Sequence, residues 1–176
     1  MCAICNFKID FGVSHPVSLR VAVATRQAMD RGALAQQDMN GALATARLKL
    51  ASVDTLAVFQ SRIEATLSLD EWLALPDFYV LLIEATTWGF FHATPNGFDP
   101  DVIPALPDLD AVDPKARSSV IVTSEIALRA LNDGKIDART AFESGLVALD
   151  APDAHARAVR SVIDRLSVDT HAHCPN

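Results

Sequence analysis

The stretch FYVLLIEATTWGFFHA, residues 78–93, decides the fold, and two patterns compete in it. Its aromatic and branched side chains suit a buried hairpin, since such residues pack well on a pleated surface. Yet Val80, Glu84, Thr87 and Phe91 also fall on one face of a helix, with Gly89 as a defect. The spacing favours the helix. With it, the chain reads as mainly α, a compact helical bundle with at most a short N-terminal strand or a small hairpin. The hairpin reading of the same residues makes the protein α+β.

Working outward toward the N-terminus, Ser68-Leu69-Asp70-Glu71 is a capping box, serine three before glutamate, which predicts a short helix over 69–75. Residues 39–66 carry Leu43, Leu48, Leu50, Leu56, Phe59 and Ile63 among good helix formers, with Ser52-Val53-Asp54 as a break point. Ser14-His15-Pro16 opens another helix, which Gly32 stops. Before it, Phe7, Ile9, Phe11 and Val13 alternate with Lys8 and Asp10, the period of a half-buried strand.

Toward the C-terminus, residues 94–113 hold Pro95, Pro100, Pro104 and Pro107 together with Asn96-Gly97. They read as a long surface loop, and such loops are often functional, although proline stiffening alone explains this one. Asp113-Pro114 starts a helix expected to run to Asn132-Asp133-Gly134. Two more follow at 138–144 and 152–166, the last with an apolar stripe of Val159, Val162, Ile163 and Leu166. No repeat or low-complexity linker interrupts residues 1–176, which read as one helix-rich domain.

Half of the 176 residues are apolar and 21% are charged, ample material for a core. The net charge of −7 sets the surface against phosphate backbones and anionic lipid, so neither nucleic acid nor membrane is an expected partner. The strongest apolar run, 78–83, is far too short to span a bilayer. An odd count of three cysteines and the lack of an export signal point to the cytoplasm, where thiols stay reduced.

The segment 134–147, Gly-Lys-Ile-Asp-Ala-Arg-Thr-Ala-Phe-Glu-Ser-Gly-Leu-Val, resembles the helix-and-turn segment of crotonase-fold, enoyl-CoA hydratase-like enzymes. The resemblance covers 14 of 176 residues. The upstream pattern of that family's acyl-CoA oxyanion hole is missing and the chain is short for the fold. It therefore implies a helix ended by glycine and then an apolar segment, and no activity.

Chemistry concentrates at the two ends. Cys2 and Cys5 form a C-x-x-C that lets two thiolates hold one cation, and His171-x-x-Cys174 has the same reach, with His173 as a substitute for His171. Together they offer the three sulfurs and one imidazole of a closed zinc site, iron being the alternative ion. Such a clasp would tie down both termini. A closed shell leaves no position for substrate, so the default role is structural. Redox work by Cys2 and Cys5 ranks lower, because such pairs normally open a helix after a strand. Cys2 exposed by loss of Met1 would resemble N-terminal-nucleophile amidotransferases, whose following glycine and strand-rich body are missing.

A second candidate lies at residues 72–98, where seven of the eleven aromatics fall. There Glu84, Trp88 and His92 would furnish an apolar small-molecule pocket, with the proline-rich loop as a lid. The plainer account is that the aromatics fill the core. His15 and His155 show no partner along the sequence. The high apolar content also suits a homo-oligomer, most simply a homodimer through apolar helix faces.

Overall fold

A computed structural model describes residues 14–37, 41, 43–99, 101–110, 113 and 116–168. The strand expected at 7–13 and the clasp residues Cys2, Cys5, His171, His173 and Cys174 lie outside the described residues. In chain order the elements are α1 (Ser18–Asp30), α2 (Ala44–Thr66), α3 (Leu69–Leu73), β1 (Phe78–Leu82), β2 (Thr87–Phe91), β3 (Ala93–Thr94) and β4 (Gly97–Phe98). They continue with β5 (Val120–Thr123), α4 (Glu125–Asn132), α5 (Ala138–Glu143), β6 (Val147–Asp150) and α6 (Asp153–Val168).

Residues 78–93 form a hairpin, and this overturns the expected helical bundle in favour of an α+β fold. β1 and β2 pair antiparallel, Phe78 opposite Phe91 and Leu82 opposite Thr87. The turn between them bends through Thr86, whose φ is +48°. A four-stranded mixed sheet follows in the order β2-β1-β5-β6, with β1 and β5 parallel and the outer pairs antiparallel. On one face Val21 of α1 packs with Tyr79, Leu81, Trp88, Val120 and Val122. On the other, Leu56, Phe59 and Ile63 of α2 and Val159, Ile163 and Leu166 of α6 pack with Phe78, Val80, Phe91 and Ile121. Every residue of β1 and β5 is buried.

That layering explains why the helical spacing misled. A strand covered on both faces is apolar on both, which erases the period of two that identifies strands. Gly89 is the residue that settles the matter. A Cβ there would stand 3.0 Å from Phe91 Cε2 and 3.3 Å from Leu56 Cδ1, so the apparent helical defect is the seat on which α2 rests. Across the hairpin, Phe78 and Phe91 stack with centroids 4.8 Å apart.

The helix expected from Asp113 to Gly134 is likewise corrected. Its middle is β5, a run of branched residues, and only α4 is helical, opened by Ser124, whose hydroxyl accepts from the Ala127 N–H. Elsewhere the local signals hold. α3 carries the capping box at Ser68 and Glu71, and α5 and α6 stand where glycine and proline punctuation put them. α2 runs unbroken through 52–54, because Ser52 and Val53 face the core. Arg62 of α2 donates to the carbonyls of Leu131, Asn132 and Leu166, satisfying the C-terminal ends of α4 and α6 together.

The proline-rich segment has a topological task. A parallel pair needs a crossover, and here residues 99–119 carry the chain past the end of β1 so that β5 joins its far edge. The Tyr79 hydroxyl donates to the Ala105 carbonyl at 2.9 Å and fixes that path. Before it, β3 and β4 form a small hairpin whose turn uses Gly97 at φ +118°. Among the described residues no helix is long and apolar enough to cross a membrane.

Candidate functional site

The register of the sheet sorts its polar residues into two ends. At the end where β1 and β5 begin lie Ser119, Asp150, the start of α6 and all three described histidines, His15, His92 and His155. At the opposite end lie the hairpin turn with Glu84 and the start of α4 with Glu125.

The histidine end opens into a cleft of about 600 Å³ between the loop that enters β5 and the first turn of α6. Asp113, Arg117, Pro152, Ala154, His155 and Arg157 are among its walls. Local bonds set these side chains. Ser118 N–H donates to the Asp108 carbonyl and its hydroxyl accepts from the Asp108 N–H, which pins the loop on either side of the crossover. Arg117 precedes that pin, and its Nη1 lies 3.4 Å from Asp150 Oδ1. Its Nε is buried without a partner among the described residues, so a guanidinium with five donors has one long contact.

Two histidines are held behind this arginine in different ways. The His155 Nδ1 is 3.1 Å from the Ser119 hydroxyl, which leaves Nε2 as the ring atom for a ligand. Ser119 itself is 3% exposed. A hydroxyl so deeply buried orients the imidazole and has no path to attack a substrate carbonyl. His15, also 3% exposed, accepts from the Val17 N–H at Nδ1, so the neutral ring carries its proton on Nε2, 3.2 Å from Asp150 Oδ2. Burial pushes its pKa below the usual value, the neighbouring Arg117 adding to this, while Asp150 pulls it back.

At the opposite end the carboxylates turn inward, and Glu84 Oε1 is buried without a hydrogen-bond partner among the described residues. Both carboxylate oxygens of Glu125, which is fully buried, are engaged: Thr55 donates to one at 2.7 Å, Gln37 to the other at 3.2 Å, and Arg129 lies 3.3 Å away. Glu84 accepts from the Glu125 N–H at 2.9 Å, a carboxylate placed at the start of α4. Burial raises the Glu84 pKa above its ordinary value; hydrogen bonds from the Glu125 and Glu84 N–H groups oppose this and the Glu125 charge adds to it.

The three residues proposed from sequence for an apolar pocket are thus distributed over the hairpin. Glu84 sits at its turn and His92 beyond its open end, where Nδ1 meets Asp77 Oδ1 at 2.8 Å on the surface. Trp88 is fully buried on the α1 face, edge-on to Tyr79. Within the same region a shallower cavity of about 320 Å³ lies against Glu64, Leu69, Trp72, Pro95 and Gly97, with none of those three in its walls. Among the described residues no group of three or more His, Cys, Asp or Glu stands ready to hold a metal ion.

Sequence reading passed over Arg117, Ser119 and Asp150, and left His15 and His155 without partners. The pairs His15–Asp150 and Ser119–His155 are separated by 135 and 36 residues and meet because β5 and β6 are neighbours and α1 packs on the sheet. A usable signal existed in the branched run after Ser119, which marks Arg117-Ser118-Ser119 as a strand entrance. Comparison with protein-family models, with curated proteins and with solved structures found no match to this chain.

Proposed function

We propose that the protein binds a small organic acid in the cleft at the start of β5 and α6, the anionic group gripped by Arg117 and the apolar body lying on Ala151, Pro152 and Ala154. The observation that carries this reading is the under-bonded Arg117 guanidinium in the wall of a cleft of about 600 Å³ that has a histidine fixed beside it. A planar fork with spare donors matches a carboxylate or phosphate. His155, oriented by Ser119, supplies a second donor, and the early amides of α6 favour negative charge. Asp113 and Asp153 at the rim limit the site to one anionic group. The odd cysteine count supports a reducing, cytoplasmic setting for it.

Calorimetric titration of the full chain with short and aromatic carboxylates and with monophosphates tests the proposal. At least one class should bind, with Arg117→Ala weakening it about tenfold or more and His155→Ala by less. Failure of every compound at millimolar concentration, or binding indifferent to both substitutions, would sink it.

The clasp of Cys2, Cys5, His171 or His173 and Cys174 around zinc, or iron, is a separate proposal supported by ligand spacing and by reach. His15 lies by Asp150 at the start of α6, and α6 is roughly 24 Å long, whereas the ten residues back from His15 to Cys5 can extend to roughly 33 Å. Metal content of the purified protein tests it. Stoichiometric zinc lost in both Cys2→Ser and Cys174→Ser supports the clasp; protein without metal, or metal retained in both variants, refutes it.

A further inference from the structure

α2 presents two apolar faces, and only one of them is used within the chain. Leu48, Leu56, Phe59 and Ile63 are buried against the sheet and α6. On the other side Leu43, Leu50 and Val58 are exposed by 62%, 60% and 48%. Leu43 and Leu50 stand seven residues apart with Val58 eight further on, close to the spacing of a helix–helix seam, and Arg47 and Asp54 lie on the same face. Both charged residues are exposed and neither has an ion-pair partner among the described residues.

The order of these residues is self-complementary in one direction. When two copies of α2 lie antiparallel about a two-fold axis beside Leu50, Leu43 of each copy meets Val58 of the other, Leu50 meets Leu50 and Ala51, and Arg47 meets Asp54. A parallel pairing instead sets Arg47 against Arg47 and Asp54 against Asp54, which is repulsive. We infer that the outer face of α2 is an isologous interface with a second copy of this chain, the helices antiparallel and registered by two Arg47–Asp54 pairs. One helix pair falls at the small end of stable interfaces, so the dimer is a weak one in exchange with monomer.

Sedimentation equilibrium of the full chain across the micromolar range reads this directly. The expected result is a monomer–dimer equilibrium. Leu50→Glu should abolish it, and either Arg47→Asp or Asp54→Arg should weaken it about tenfold. The exchange of both charges in one chain should restore association to near the wild-type constant. Because all three positions are exposed, circular dichroism should show unchanged folding. A monomer at every concentration overturns the inference. So does a dimer that survives Leu50→Glu, or a charge exchange no better than either single reversal.

Discussion

The two ends of the sheet are built from the same materials and end in different states. At the α4 end, both oxygens of the fully buried Glu125 carboxylate are engaged by Thr55, Gln37 and Arg129, while Glu84 Oε1 is buried without a hydrogen-bond partner among the described residues, and neither carboxylate lines the α6-end cleft. At the α6 end, Arg117 and His155 are positioned by Asp150 and Ser119 in the wall of a cleft, and the guanidinium has one long contact for its five donors. Burying a polar group costs free energy unless it is bonded, so the saturated Glu125 carboxylate is explained by stability alone. A network that leaves donors over beside open volume is not so explained. The difference puts the candidate site at the α6 end, although Glu125 is a far more deeply buried carboxylate than Asp150.

The contrast is broken most forcefully by removing one group from each end. Glu125→Ala strips the acceptor from Thr55 and Gln37 inside the core and should cost roughly 2–3 kcal/mol of stability. His155→Ala removes a half-buried ring from the edge of a cleft and should cost roughly 1 kcal/mol or less, while weakening ligand. Denaturant melts of both variants make the comparison. Equal losses would mean that the α6 end is as much a structural network as the other.

Gly89 lies between the two ends, in the strand that links them. Gly89→Ala forces Leu56 or Phe91 aside and should cost roughly 1–2 kcal/mol without favouring either end: ligand affinity of the folded fraction should stay at the wild-type value. The same residue shows how far the sequence could be read. Caps and breakers act within a few residues, so α3, α5 and α6 were legible from Ser68, Gly145 and Pro152. The sheet was not, because β1 is apolar on both faces and offers no alternation to find. The candidate site was not legible: of the residues singled out for a pocket, Glu84 sits at the other end of the sheet and His92 and Trp88 line neither cavity. Arg117, Ser119 and Asp150 are ordinary in sequence. They become a site only when β5 lies between β1 and β6, a neighbourhood no local pattern encodes.

The finest separation of the ends is in acid–base behaviour, where they oppose each other. The pKa of His15 is lowered by folding, so below about pH 6.5 the unfolded chain takes up a proton that the native protein refuses. Stability from this end is full above that pH and declines as pH falls toward the depressed native value. The pKa of Glu84 is raised by folding, so above its ordinary value the unfolded chain releases a proton that the native protein keeps. Stability from that end is full at low pH and declines as pH rises toward the elevated native value. Where the acid-side decline from His15 and the alkaline-side decline from Glu84 overlap, the two slopes act against each other in the wild type. Glu84→Gln, which retains an acceptor for the Glu125 N–H, should raise the melting temperature at pH 8, leave it unchanged at pH 4, and steepen the loss of stability on acidification. His15→Gln should do the reverse, removing the acid-side decline and exposing a fall of stability with rising pH. Melting curves of the three proteins across this range test the assignment. Parallel curves for all three would show that neither group titrates differently in the folded chain, and the electrostatic distinction between the ends would go with it.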